Sequence, residues 1–221
     1  MATAAGADDA PEISPELVRK LREKTNAGIM DCKRALAECG GDLEKAEAHL
    51  RTKGIAGASK KASRATKEGI VASYIHLQGK VGVLVEVNCE TDFVAKNEKF
   101  REFVKDITLH IAAAHPLYVS REEVPAKLVE SERAIYVGQV KGKPENVVEK
   151  IVGGKLDKFY STVCLMEQGF IKNPDQTVKE LVATKIAELG ENIVIRRFTR
   201  YLVGEPLEAA APAGEEEQAA A

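Results

Sequence analysis

A chain of 221 residues suffices for one medium domain or two small ones, and an apolar share of 44% allows a core, although aromatics make up 5% and tryptophan is absent. The 32 basic and 34 acidic residues leave a net charge of −2, which argues against a dedicated nucleic-acid or membrane binder. No apolar run approaches the roughly 20 residues that span a bilayer, so no membrane contact is expected, and the charge balance gives no expectation of direct nucleic-acid contact.

The N-terminal "MATAAGADDAPEI" has no basic n-region and no apolar h-region, and it carries Asp8 and Asp9. It reads as neither a secretory signal nor an Arg-rich transit peptide, and a cytoplasmic location is expected. Residues 1–13 and 205–221 are Ala-, Pro- and acid-rich and are expected to be disordered tails.

Residues 14–54 read as three short helices. Ser14 supplies an N-cap and Pro15 takes the first helical position, where its missing N–H costs nothing. Leu17, Val18 and Leu21 make one apolar face, and "TNAG" (25–28) is turn chemistry. In the second helix Ile29 or Met30 joins Lys33, Leu36 and Ala37 on one side; as adjacent residues cannot share a helical face, one of Ile29 and Met30 is expected to pack and the other to be exposed. Gly40-Gly41 stops this helix, Asp42 caps the third, Leu43, Ala46 and Leu50 are its buried face, and Lys53-Gly54 is read as its end. About forty residues in three helices form a marginal core, which suits a module that docks on something larger.

Residues 55–68 are small and basic, with Lys60, Lys61, Arg64 and Lys67 ahead of Glu68, and read as a linker. Four positive charges without interleaved aromatics make a weak RNA-binding arm.

The stretch 69–204 reads as α+β. Strands at 69–76 and 81–89 flank Leu77-Gln78-Gly79-Lys80 as a hairpin, with Val81, Val83, Val85 and Val87 alternating onto one face. Asn97 to His115 is a strongly amphipathic helix carrying Phe100, Phe103, Val104, Ile107, Ile111 and Ala114. Further helices are predicted at 125–139 with Leu128, Val129 and Ile135 inward, at 144–152 with Val147, Val148 and Ile151 inward, and from Asp175 to Leu189 with Val178, Leu181, Val182 and Leu189 inward and Gly190 as its stop. "NIVIRRFTRYLV" (192–203) returns as a strand, and Arg196, Arg197 and Arg200 suggest that at least part of it faces water or a partner.

Catalytic and metal chemistry leave little trace. Cys32, Cys39, Cys89 and Cys164 lack metal-ligand spacing and read as reduced, mostly buried thiols. There is no G-x-x-x-x-G-K-[ST], G-x-G-x-x-G or G-x-S-x-G, and Glu122-Glu123 sits in polar, helix-starting company. Neither a cofactor nor a metal is expected, and an enzyme is the least favoured class.

One stretch resists a purely structural reading. The strand-like run ending at Val87 gives way to Thr91-Asp92-Phe93, a carboxylate beside a bare aromatic at a strand exit. A buried Asp is costly without partners, and an exposed Phe leaves apolar area in water. Either Asp92 caps the next turn while Phe93 plugs the core under the 97–115 helix, or the pair projects toward a partner.

"LREKTNAGIMDCKRALAECGGDLEKAEAHLRTKG" (21–54) and "EVNCETDFVAKNEKF" (86–100) resemble the two signatures of the elongation factor Ts family, in order and at the expected separation. The resemblance runs from about Ser14 to Glu205; Asn26 stands where the family commonly has glycine and Ile29 where it often has methionine. It implies a guanine-nucleotide exchange factor for elongation factor Tu that performs no bond chemistry. It further implies a UBA-like module at 14–54 that docks through Val18, Arg22, Ile29, Met30 and Lys33, and an intruding element of Thr91, Asp92, Phe93 and Val94 near the Mg²⁺ and nucleotide of the GTPase. Longer members carry two related core subdomains; here one core unit fits at 69–204, so a homodimer that also contacts the GTPase is implied. Two other classes fit parts of the chain: a small adaptor built on the three-helix module, and an RNA-binding accessory protein using the basic linker with Arg196, Arg197 and Arg200. Steep loss of binding with salt would mark the latter.

Overall fold

Ser14 opens the first helix as the sequence predicts: its hydroxyl accepts the Leu17 N–H at 3.3 Å, and Pro15 is the first helical residue. The computed structural model describes residues 13–25, 27–140, 142 and 144–206; the expected turn at Asn26 and the expected tails at 1–12 and 207–221 fall outside them. Helices α1 (Pro15–Thr25), α2 (Ile29–Glu38) and the first half of α3 (Leu43–Lys61) enclose a small core of Val18, Leu21, Cys32, Ala35, Leu36 and Ala46. Gly40 and Gly41 end α2 with φ of 63° and 83°, a left-handed conformation that glycine adopts without steric cost. Asp42 Oδ1 then accepts the Glu44 and Lys45 N–H groups, both at 3.0 Å, as the cap of α3.

Helix α3 corrects the reading of Lys53-Gly54 as a stop and of residues 55–61 as linker, because it continues unbroken to Lys61. A glycine inside a helix costs about 1 kcal/mol relative to alanine, and packing outweighs that here. A Cβ on Gly54 would sit 3.6 Å from that of Ala187 on α8 (Val178–Leu189), an ordinary contact distance, so α3 and α8 lie side by side at this point. Arg51 pairs with Glu180 of α8 at 2.6 Å, Lys61 Nζ reaches the Ile186 carbonyl at 3.4 Å, and Ala58 enters the larger core. One helix therefore belongs to both cores.

The larger unit is α+β. Strands β1 (Glu68–His76), β2 (Val81–Cys89) and β5 (Ile193–Leu202) form an antiparallel sheet in the order β1-β2-β5. Val81, Val83, Val85 and Val87 are buried as predicted: β2 packs on α5 (Glu98–Ala114), in one core with residues of α8. Between β2 and β5 the register slips at Glu86/Val87: Glu86 lies opposite Arg197 and Val87 opposite Ile195, which leaves Arg196 as the extra residue of a bulge.

Elsewhere the structure revises the sequence reading. Helix α6 (Ala126–Gln139) packs chiefly on α7 (Glu145–Val163) and buries no residue, and Ile135, expected inward, is half-exposed. Helix α7 runs through Gly153-Gly154 to Val163 rather than ending at 152, and Val147 faces outward. Asp175 does not start a helix: Asn173–Thr177 forms β4, paired with β3 (Gly169–Phe170), and α8 begins only after Thr177, which makes a capping box with Glu180. That Thr-x-x-Glu signal outranks the apolar spacing that suggested an earlier start. Glu205, expected in the tail, accepts from Arg200 at 3.2 Å and from the Leu202 N–H at 3.0 Å, so the ordered unit reaches it. Among the described residues no helix is long and apolar enough to cross a membrane, and no group of three or more His, Cys, Asp or Glu could hold a metal ion.

Candidate partner-binding site

The strand β2 ends at Cys89, whose partner across the sheet is Ile193. Beyond this last pair the backbone N–H groups of Glu90 and Thr91 have no strand to bond, and the turn between α8 and β5 supplies the acceptor. Glu191 takes the Glu90 N–H at 3.1 Å, the Thr91 N–H at 3.0 Å and the Thr91 hydroxyl at 2.6 Å. In return Glu90 Oε1 accepts the Asn192 N–H at 2.6 Å and the Arg64 guanidinium at 3.4 Å. The Asn192 hydrogen bond, with the charge of Arg64, holds the Glu90 carboxyl below the usual carboxylate range.

Held in this way, Thr91 caps the short helix α4 (Asp92–Lys96): its Oγ1 also accepts the Val94 N–H at 3.4 Å. Val94 and Ala95 turn into the larger core, which leaves Asp92 half-exposed and Phe93 81% exposed. The Asp92 carboxylate meets Lys96 at 2.6 Å, and that hydrogen bond holds it below the ordinary aspartate range. Asn97 ends α4 and caps α5, accepting the Lys99 N–H at 2.9 Å. The reading in which Asp92 caps and Phe93 plugs the core is overturned, because Thr91 is the cap and Phe100 and Phe103 fill the core under β2.

On the N-terminal module the structure separates the five expected docking residues. Arg22, Ile29, Met30 and Lys33 are exposed, whereas Val18 is buried in the module's own core. Ile29 and Met30 are 54% and 69% exposed, which corrects the expectation that one of them packs inward. The inward face of α2 starts one turn later, with Cys32, Ala35 and Leu36. The cysteines match their reading as structural thiols: all four are free, and burial pushes Cys89 and Cys164 up to about 11.

A further exposed surface lies on the sheet itself. The register places Val71, Ile75, Leu84 and Tyr201 on the face opposite the buried valines, and all four are exposed. Neither this face nor Glu191 is marked by any local pattern in the sequence.

Together these features define an α+β protein in which a three-helix module and a helix-covered sheet share one continuous helix, with an Asp-Phe pair presented from a braced turn. A sequence model of the family described as Elongation factor TS matches residues 57–205. Elongation factor Ts of Geobacter sulfurreducens is 58% identical over 198 residues, covering 89% of this chain and 92% of its own length. That of Carboxydothermus hydrogenoformans is 58% identical over 197 residues, 88% of this chain and 91% of its own, and that of Acetivibrio thermocellus 57% over 198, 89% and 92%. The chain belongs to the elongation factor Ts family.

Proposed function

We infer that this protein binds elongation factor Tu and promotes GDP release, exchanging guanine nucleotide without bond chemistry of its own. The observation that carries this reading is the projection of Phe93, 81% exposed beside half-exposed Asp92, from a short helix whose next residues, Val94 and Ala95, are buried. A GTPase holds its nucleotide largely through a phosphate cradle and Mg²⁺. Phe93 wedges beside that site and Asp92 disturbs the groups that hold the metal, while Thr91 and Val94 fix the element from behind. Stabilising a conformation with those contacts displaced weakens nucleotide binding, and by linkage nucleotide weakens the exchange factor's binding equally. Such a catalyst leaves the overall equilibrium unchanged, so the direction of exchange follows nucleotide concentrations.

In this reading the module at 14–54 docks through Arg22, Ile29, Met30 and Lys33, with Val18 supporting that surface from within. The core at 69–204 supplies the second GTPase contact and pairs with another copy, in the cytoplasm. The exposed apolar sheet face at Val71, Ile75, Leu84 and Tyr201 supports the pairing, since a face of this kind gains from being covered. The test is release of labelled GDP from purified elongation factor Tu: substoichiometric protein accelerates release over many turnovers. A requirement for one equivalent per turnover, or no acceleration, would refute the exchange reading; sedimentation of a monomer that exchanges at full rate would refute the dimer.

A further inference from the structure

We propose that Glu191 is a positioning residue for exchange: by bonding the cap of α4 it sets the direction in which Phe93 projects. This rests on the exchange reading above and adds a residue that touches neither nucleotide nor partner.

The turn after β2 and the turn before β5 lie about a hundred residues apart in the chain, yet the Cys89–Ile193 pair brings them side by side. They are joined by two carboxylates running in opposite directions, Glu191 onto Glu90 and Thr91, and Glu90 onto Asn192. Asn192 Nδ2 also donates to the Ala62 and Arg64 carbonyls at 3.4 Å and 2.9 Å, which ties in the segment that leaves α3. Three segments of chain therefore meet behind Asp92-Phe93.

The bond to the Thr91 hydroxyl carries the argument. Donating to Glu191 at 2.6 Å orients this hydroxyl so that its oxygen is free to accept the Val94 N–H. A hydrogen bond to an ionised acceptor is roughly twice as strong as a neutral one. Helix α4 has five residues, far short of the roughly 12–15 at which isolated helices become even marginally stable. Its persistence depends on the cap at one end and on Val94 and Ala95 at its middle. Without Glu191 two backbone N–H groups lose their acceptor, the Thr91 side chain is free to turn, and Asp92-Phe93 samples many directions. A wedge that must be ordered on binding is less effective at the step where the nucleotide contacts break.

The experiment combines two measurements on the full-length protein. Saturation curves of GDP release from elongation factor Tu are recorded for wild type, Glu191→Ala, Glu191→Gln, Thr91→Val and Phe93→Ala, with amide hydrogen exchange at Glu90, Thr91 and Val94 of the free protein. Glu191→Ala is expected to speed exchange at these amides and to lower the plateau rate about tenfold, within the roughly 5–150-fold span of site-to-site couplings. Its half-saturating concentration should stay within about threefold of wild type, since the docking module is untouched. Glu191→Gln, which keeps an acceptor oxygen, should recover part of the plateau. Thr91→Val combined with Glu191→Ala should lose less than the two single losses together, because the Thr91–Glu191 bond is common to both.

Fast amides with an undiminished plateau would overturn the proposal, as would unchanged amides, or a loss confined to half-saturation. Should Glu191→Ala fail to fold, Glu191→Gln and Thr91→Val carry the same comparison. A wild-type protein that does not accelerate GDP release brings down the exchange reading itself and the positioning role with it; that failure is recognised without any variant.

Discussion

Lys96 Nζ lies 2.6 Å from Asp92 Oδ2, one helical turn further along α4. Both side chains are about half-exposed or more, so the pair is screened by salt and adds little to folding. Its effect falls on protonation. The Lys96 hydrogen bond depresses the Asp92 pKa, so any stability linked to this group is present above the unfolded-state value and is lost as pH falls through the folded one. Asp92 therefore stays ionised at neutral pH, and exchange should show no dependence on its titration between about pH 6 and 8. A carboxyl-carbon NMR titration of Lys96→Met should place Asp92 higher than in wild type. An unmoved titration would show that Lys96 does not control it.

Phe93 offers a clean separation of function from folding. With 81% of it exposed, Phe93→Ala should shift stability by about 0.5 kcal/mol or less. Phe103→Ala, in the core under β2, should cost about 3–5 kcal/mol. Urea midpoints of the two variants check this. In GDP release, Phe93→Ala should lower the saturated rate by a factor of about 5–150 and leave half-saturation nearly unchanged. A shift in half-saturation alone would make the side chain an anchor rather than a wedge.

What the sequence discloses follows from how local each cause is. The alternation of Val81 to Val87 and the spacing from Phe100 to Ile111 were legible because each element has one buried face, and the period of two or 3.6 records it. Gly54 misled because a glycine often marks a helix stop, whereas here Arg51, Ala58 and Lys61 hold α3 to α8 and the larger core on both sides of it. Ile135 misled because its apolar spacing implies a core, whereas α6 rests chiefly on α7. The exposure of Phe93 runs against the default for its residue type, and the family resemblance, rather than residue physics, pointed to it. Glu191 left no local signal, as its partners stand about a hundred residues away.

Ile29 and Met30 should behave as docking residues. A large apolar side chain moved from water into a full contact gains about 1.5–3 kcal/mol, and each 1.4 kcal/mol is a tenfold change in affinity. Met30→Ala should therefore raise the half-saturating concentration about tenfold while nearly the same plateau is reached. Val18→Ala should act differently, loosening the module's own core at a cost of about 1–3 kcal/mol, seen as a lower unfolding midpoint for signals from α1 to α3. Equal folding stability for Val18→Ala and wild type would return Val18 to the docking surface.

Gly69 has φ of 147°, and a Cβ there would lie 2.2 Å from the Val87 carbonyl oxygen. Neither atom belongs to a flexible side-chain end, so the strands themselves must shift. Gly69→Ala should cost at or above the roughly 1–3 kcal/mol usual for overpacking, read as a lower thermal midpoint. Retention of the wild-type midpoint would mean that β1 re-pairs without strain.

His110 gives the fold a specific acid sensitivity. It is wholly buried, its Nδ1 accepts the Ile171 N–H at 3.3 Å, and its Nε2 lies 3.0 Å from Gln168 Oε1. An accepting Nδ1 places the neutral ring's hydrogen on Nε2, which donates to Gln168. Gln168 in turn donates through its amide to the Thr162 carbonyl at 2.8 Å, so both ring nitrogens are fixed by bonds that suit the neutral form. Burial lowers the His110 pKa, only partly opposed by the Gln168 hydrogen bond, whereas in the unfolded chain the ring titrates near 6.5. Below about pH 6.5 the unfolded state consequently binds more protons than the folded one. Stability from this group is present above that pH and is lost as pH falls toward the folded pKa, at up to about 1.4 kcal/mol per pH unit. Protonation would also set a second N–H against the Ile171 N–H and break that bond. Urea midpoints measured from about pH 7.5 down to pH 5 should fall for wild type. In His110→Gln they should start lower, since a buried ring is lost, and show a flatter slope. An equally steep slope in the variant would assign the acid sensitivity to other groups.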